Sequence, residues 1–153
     1  MIYEEIYEAQ AKEKIVRSIL EALPDWFAME EGRERYIKES AEQICIGAIE
    51  GAEYIGFLCL KETGKDTLEL AVMGVLKEYH RQGIGSRLFM MAKDIAHEKG
   101  YSFLQVKTVQ MGKYADYDDT NRFYISLGFK EFEVFPTLWD EANPCQIYVM
   151  SIE

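Results

Sequence analysis

The sequence predicts a single α+β domain, with an α/β-sandwich-like arrangement in which helices flank a mixed, mostly antiparallel central sheet. Three observations predict this class. The 153 residues suit one domain, 48% of them are hydrophobic, and the hydrophobic periodicity changes repeatedly between helical and strand spacing. The predicted order of elements over residues 1–153 is β-α-α-β-β-β-α-β-α-β-β, which is an α+β pattern.

The first half of the chain contains two predicted helices and a predicted three-stranded meander. Residues 10–27 have apolar side chains at helical spacing, and Pro24 ends this pattern. A more polar helix is plausible over residues 31–43. The short apolar runs "ICIGAIE", "EYIGFLCLKE" and "TLELAVMGVL" then follow, separated by "GA" and "TGKD". Such separators are typical of hairpin turns.

The second half returns to helical spacing after Gly83, and Gly100 is the predicted stop of that helix. A strand "FLQVKTV" comes next, and then a short helix that is expected to begin near Asp119. Two more strand-like stretches, "FKEFEVF" and "CQIYVMSI", are joined by "PTLWDEANP", which we expect to be a loop.

Composition excludes several classes of function. A formal net charge of −10 argues against nucleic acid or an anionic membrane surface as partner, and it suits a cationic small molecule or a basic peptide better. The three cysteines show no metal-ligand spacing, so we expect reduced core thiols and no metal site. The N-terminus is acidic, and no apolar run approaches the roughly 18 residues of a membrane span, so we expect a cytoplasmic protein. A homodimer is compatible with the sequence.

The stretch "EYHRQGIGSRLF" places glycines and basic residues at the start of a predicted helix. A glycine-rich turn entering a helix directs unpaired backbone N–H groups at one point, where the helix dipole adds positive partial charge. This indicates an anion site, although the glycines could instead only shape a tight turn beside solvated arginines. A dinucleotide fingerprint needs a third glycine where Leu88 stands, and no P-loop sequence occurs.

Two motifs in the same order resemble the GCN5-related N-acetyltransferase (GNAT) superfamily. "VLKEYHRQGIGSRLF" resembles its acetyl-CoA pyrophosphate loop, Q/R-x-x-G-x-G/A, with His80 at the Q/R position, and "NRFYISLGF" resembles the later helix that ends Y-x-x-x-G-F. The resemblance implies the acyl-CoA N-acyltransferase fold and acetyl-CoA as cosubstrate. It also implies a set of cofactor contacts: Met73 and Val75 along the pantetheine arm, His80, Arg81, Gln82, Gly83, Ile84, Gly85 and Ser86 at the diphosphate, and Asn121 from the later helix.

The resemblance further implies two catalytic residues. Tyr124 matches a tyrosine beside the cofactor sulfur, and a phenol of pKa about 10 is a suitable hydrogen-bond donor to a departing thiolate of pKa about 8.5. Glu69 lies on the strand leading to the cofactor loop and is the candidate base for the acceptor ammonium, acting directly or through water. The alternatives are a buried packing tyrosine and an outward-facing glutamate. The resemblance also implies that the backbone N–H of Met73 or a neighbour would polarise the thioester carbonyl.

The expected activity is transfer of an acetyl group to a primary amine by direct attack in a ternary complex. Aromatic and acidic residues in "DWFAMEE", "LWDEANP" and around Asp116 could form a pocket for a cationic amine, whereas Asp118 or Asp119 is expected to cap a helix. Cys145 lacks a recognisable basic partner, so an acyl-cysteine is not favoured. The rival hypothesis is a catalytically silent acyl-CoA-binding sensor or interaction module.

Overall fold

The computed structural model describes residues 1–152, which form seven strands and four α-helices. A short 3-10 helix, Lys77–Tyr79, lies just before the third α-helix. The helices are α1 (Ala9–Glu21), α2 (Glu30–Ser40), α3 (Ile84–Glu98) and α4 (Ala115–Leu127). The strands are β1 (Ile2–Ile6), β2 (Ile44–Glu50), β3 (Glu53–Gly64), β4 (Thr67–Val75), β5 (Phe103–Val109), β6 (Lys130–Asp140) and β7 (Asn143–Ser151).

The strands form one mixed sheet in the order β1-β2-β3-β4-β5-β7-β6. The pairs β1–β2, β2–β3, β5–β7 and β6–β7 are antiparallel, and β4–β5 is parallel. A parallel pair needs a crossover connection, which α3 supplies between β4 and β5. The predicted fold class, a mixed and mostly antiparallel sheet with flanking helices, is confirmed.

The described chain divides into two compact units, to each of which β3 and β4 contribute residues. The first unit comprises Met1–Lys61 and Ala71–Ile95, and the second comprises Glu62–Leu70 and the chain from Ala96 onward. No helix within residues 1–152 has the length and apolar composition needed to cross a membrane.

The core of the first unit is built on the apolar face of α1. Ile19 and Leu20 are fully buried and pack with residues of α2 and the sheet, including Phe57. Burial of one such side chain contributes about 1.5–3 kcal/mol. A Cβ at Gly74 would lie 3.0 Å from Leu23 and 3.1 Å from Ile19, so this glycine allows α1 to approach β4 closely.

The core of the second unit joins α4 to β5 and β7. Tyr148 of β7 is 1% exposed, and its ring centroid lies 6.3 Å from that of Tyr124 in α4. Phe129, just beyond α4, packs edge-on against Tyr124 at 5.9 Å. Gly128 ends α4 in the left-handed conformation (φ 106°), as the Y-x-x-x-G-F motif requires at a helix C-terminus.

Most elements occur where the sequence predicts them, but two predictions are wrong in extent. α4 begins at Ala115 with Tyr114 as its N-cap residue, so neither Asp118 nor Asp119 caps it. The Asp118 carboxylate lies in the first turn and accepts a hydrogen bond from the Gly112 N–H at 2.7 Å, which fixes the preceding turn to the helix. The predicted loop 136–144 is mostly strand, because β6 continues to Asp140 with a register shift after Phe135.

Candidate functional site

The turn between β4 and α3 contains two residues in the left-handed region of backbone conformation. Arg81 has φ 63° and Gly83 has φ 77°. This conformation costs a non-glycine residue about 1–2 kcal/mol, so the arginine there is a source of local strain. A Cβ at Gly83 would meet no atom within 4 Å. The backbone conformation therefore requires glycine at this position, and packing within the chain does not.

The first turn of α3 presents main-chain donors. α3 begins at Ile84, so the N–H groups of Ile84, Gly85 and Ser86 have no carbonyl one turn earlier within the helix. The next N–H, of Arg87, donates to Gly83 O at 3.1 Å. No acidic residue lies in this first turn, so nothing within it opposes the positive end of the helix dipole. The geometry is that of a main-chain anion site.

The basic side chains of this turn have different surroundings. The Arg87 guanidinium lies over the ring of Tyr3 at 5.5 Å, a cation–π distance. Gln82 Nε2 donates to Glu78 O at 3.4 Å, which is a weak bond. Arg81 is exposed. Main-chain groups, more than fixed side chains, therefore define the turn.

The edge of β4 next to this turn is the predicted site of the pantetheine arm. The β4–β5 register ends at Leu70 and Val106, whereas β4 itself continues to Val75. Met73 and Val75 are half-buried. His80, predicted to contact the cofactor, is exposed and has its ring Nε2 2.6 Å from Val75 O. Because a carbonyl can only accept, Nε2 carries the proton of this hydrogen bond.

Glu69 of β4, the candidate base, is 5% exposed and belongs to the second unit. Its Oε1 lies 2.7 Å from Lys107 Nζ of β5. The alternative of an outward-facing, solvated glutamate does not match this burial.

Tyr124 and Asn121 of α4 lie together in the second unit and both contact Tyr148. Tyr124 is 7% exposed, with Phe123, Phe129 and Tyr148 around its ring. Its burial fits a packing role and is compatible with the predicted donor role, which stays a prediction.

The Asn121 side chain is fully buried within a hydrogen-bond network. Its Nδ2 donates to Val109 O at 2.9 Å and to Tyr117 O at 2.7 Å, and its Oδ1 accepts from the Tyr148 hydroxyl at 2.6 Å. The bonds with Val109 and Tyr148 attach α4 to β5 and β7, and the bond to Tyr117 O lies within α4. They give Asn121 a structural role, and its contact with the cofactor stays a prediction.

The segments proposed to surround an acceptor amine lie in both units. In the first unit, Asp25 pairs with Lys77 at 3.2 Å, and the Trp26 ring is T-shaped against the His80 ring with centroids 5.6 Å apart. In the second unit, Asp119 pairs with Arg122 at 2.9 Å, and Trp139 is 47% exposed. Asp25 and Asp119 therefore already have cationic partners.

All three cysteines are free and buried, as the sequence predicts. Burial raises the pKa of the Cys145 thiol, so its thiolate is disfavoured at neutral pH. This agrees with Cys145 being a core residue. Within residues 1–152, no group of three or more His, Cys, Asp and Glu side chains could hold a metal ion.

Two partners of the candidate residues were not predicted from the sequence. They are Lys107, paired with Glu69, and Tyr148, which binds Asn121. Lys107 follows Gln105, the register partner of Glu69, by two residues and so shares its face of the sheet. A parallel β4–β5 pairing with fixed register would have revealed this pair, but register cannot be fixed from one sequence.

Comparison with known proteins identifies the family. The sequence profile of the acetyltransferase (GNAT) family matches residues 3–129. The chain belongs to this family. A search of curated protein sequences finds no significant match to this GNAT-family chain.

Solved structures share the fold at low sequence identity. A protein from Desulfovibrio desulfuricans, assigned to the GNAT family of acetyltransferases, has a TM-score of 0.86 at 20% identity and covers 99% of both chains. An aminoglycoside 6'-N-acetyltransferase complexed with coenzyme A has a TM-score of 0.74 at 19% identity over 100% of this chain and 98% of its own. The ribosomal-protein-S18-alanine N-acetyltransferase of Escherichia coli has a TM-score of 0.76 at 17% identity, over 99% of this chain and 95% of its own.

Proposed function

We propose that this GNAT-family protein transfers an acetyl group from acetyl-CoA to a primary amine by direct attack in a ternary complex. The turn from Arg81 to Ser86 carries the proposal. It combines a left-handed Arg81, a Gly83 with unfilled space beside it, and first-turn N–H groups of α3. A main-chain anion site of this kind fits a diphosphate.

The cofactor would extend from this turn along the edge of β4. The amides of Gly83 to Ser86 would bind the diphosphate, with Arg81 and Gln82 beside it. Met73 and Val75 would pair with the pantetheine arm as an added strand, in a segment beyond the last β4–β5 register pair. One relative of the same fold is described as a complex with coenzyme A, which supports this ligand.

The chemistry requires a base, an oxyanion donor and a thiolate donor. Glu69 would accept the proton of the acceptor ammonium, directly or through water, from its position beside Lys107 on β4. The backbone N–H of Met73 or of a neighbouring residue would polarise the thioester carbonyl. The Tyr124 hydroxyl would donate to the thiolate of coenzyme A as the carbon–sulfur bond breaks.

The acceptor would be a cationic amine. The net charge of −10 attracts cations, and the fold relatives named above are described as acetylating an aminoglycoside in one case and a protein alanine in another. Both kinds of acceptor carry amines. These relatives are under 25% identical, so small molecules, amino acids and proteins all remain candidates within the amine class.

Two measurements test the proposal. Calorimetric titration with coenzyme A should show binding, and a free-thiol release assay with acetyl-CoA against a panel of amines should show turnover that rises with pH as the base deprotonates. A protein that binds no coenzyme A would contradict the proposal entirely. Binding of coenzyme A without turnover on any amine would support the proposed cofactor site but contradict the proposed acetyltransferase activity.

One observation favours a second candidate function, a catalytically silent acyl-CoA-binding module. Tyr124 is 7% exposed and in contact with three aromatic rings, which suits a residue retained for packing alone. The module would use the same turn and would need no catalytic groups. The amine panel separates the two functions, because only the enzyme releases free thiol.

A further inference from the structure

The Val75 carbonyl points away from β3. The N–H of the next residue, Leu76, donates to Ile55 O of β3 at 2.8 Å. Across a trans peptide bond, the carbonyl of one residue and the N–H of the next point in opposite directions. The Val75 oxygen therefore lies on the other edge of β4, beyond Leu70, where the β5 register ends.

The His80 imidazole is hydrogen-bonded to this oxygen. Its Nε2–H donates at 2.6 Å, and its exposed ring makes a T-shaped contact with the Trp26 ring, with ring centroids 5.6 Å apart. Trp26 belongs to the α1–α2 connection, which Asp25 also joins to Lys77 at 3.2 Å. The His80 ring is therefore held in place by its own turn and by a second segment.

A ligand that extended β4 as a strand would need the space the ring fills. Neighbouring strands lie about 4.8 Å apart, with N–H donors about 2.9 Å from the carbonyl oxygens. The imidazole nitrogen, 2.6 Å from Val75 O, lies in the space between β4 and a strand added beside it. An N–H of a ligand paired with β4 would have to approach the same oxygen.

We propose that His80 competes with the pantetheine arm of coenzyme A for the Val75 carbonyl. When the arm binds, its amide takes over this oxygen, and the His80 ring leaves Val75 and its contact with Trp26. His80 then lowers the affinity for pantetheine-containing ligands and leaves diphosphate binding unaffected. This inference rests on the proposed function, because it requires that coenzyme A binds along β4.

The test compares two ligands that differ by the pantetheine arm, dephospho-coenzyme A and ADP. Removal of the competing hydrogen bond in His80→Ala should tighten binding of dephospho-coenzyme A by about 2- to 10-fold and leave the affinity for ADP unchanged. His80→Gln retains an N–H donor and should behave as the wild type. His97→Ala, at the other histidine of the chain, is the matched control.

Each other outcome overturns the inference. Equal weakening of both ligands in His80→Ala would mean that His80 contacts the diphosphate, as predicted from the sequence. Equal affinities in variant and wild type would mean that His80 does not compete. Failure of the proposed function is distinguishable, because the wild type itself would then bind neither dephospho-coenzyme A nor coenzyme A.

Tryptophan fluorescence gives a second readout. The chain has two tryptophans, so in a Trp139→Phe background the emission comes from Trp26. Departure of the His80 ring should change this emission when coenzyme A is added, and ADP should cause no change. The response should be absent in His80→Ala, in which Trp26 has no imidazole to lose. An unchanged wild-type signal at saturating coenzyme A would contradict displacement of the ring.

Discussion

Lys107 Nζ lies 2.7 Å from Glu69 Oε1, which links the parallel strands β4 and β5 through a buried carboxylate. The Glu69 side chain is 7% exposed and that of Lys107 is 30% exposed. Burial removes water from a charged group, so the stability of the ionised carboxylate depends on its protein partners. The residue proposed to move a proton is therefore also a structural element of the β4–β5 pair.

Replacement of Lys107 by Met should destabilise the second unit. It leaves a buried carboxylate without this ammonium, and because Lys107 is partly exposed we expect a loss of about 1–3 kcal/mol in the free energy of unfolding. Urea denaturation of Lys107→Met, Glu69→Gln and the double variant measures the pair directly. The double variant should be more stable than the sum of the two single losses predicts. Additive losses would mean that the pair contributes no coupling.

Replacement of Gly83 by Ala tests the diphosphate site. Gly83 has φ 77°, so alanine should cost about 1 kcal/mol of stability from backbone strain. Gly100, at the other end of α3, has φ 85° and also no atom within 4 Å of an added Cβ. Gly100→Ala is therefore matched for strain and for open space.

We expect similar losses of thermal stability in the two glycine variants, and a fall in coenzyme A affinity of at least about 10-fold in Gly83→Ala alone, because only there would the methyl group face the ligand. Calorimetric titration and thermal unfolding give the two quantities. Equal affinities for coenzyme A in both variants would place the ligand away from Gly83.

Features with local causes could be predicted from the sequence. Strands β2 and β5 occur at the predicted residues because short apolar runs between turn residues define them. The turn before α3 could be predicted because glycine disfavours a helix unless the backbone needs a conformation that other residues avoid. Gly83 has such a conformation, with φ 77°.

Features that depend on register or on competing local roles could not be predicted. Acidic residues favour both the N-cap position and the first turn of a helix, so the sequence of α4 allowed a start near Asp119 as well as the observed start at Ala115. The contacts of Glu69 with Lys107 and of Asn121 with Tyr148 join residues far apart in sequence. Nothing local in the chain specifies either pair.

Replacement of Asn121 by Ala separates its structural role from its predicted cofactor role. The change removes two buried hydrogen bonds and one partly buried one, and leaves Val109 O, Tyr117 O and the Tyr148 hydroxyl to find other partners. We expect a loss of about 2–4 kcal/mol in the free energy of unfolding, measured with urea.

Asn143 is the matched asparagine, because its hydrogen bonds to Asp140 at the β6–β7 turn are exposed. Asn143→Ala should cost under about 1 kcal/mol. If Asn121→Ala keeps its stability and loses coenzyme A affinity, the cofactor role outweighs the structural one.

Replacement of Tyr124 by Phe tests the proposed thiolate donor and keeps the aromatic packing. The ring contacts with Phe129 and Tyr148 remain, so only the effects of the hydroxyl are removed. We expect kcat for acetyl transfer to fall on the order of 100-fold with little change in coenzyme A affinity, because the donor acts as charge develops on sulfur. Tyr148→Phe is the matched control, since its hydroxyl binds Asn121 at 2.6 Å and should affect stability more than turnover. If Tyr124→Phe turns over an accepted amine at the wild-type rate, another group stabilises the thiolate.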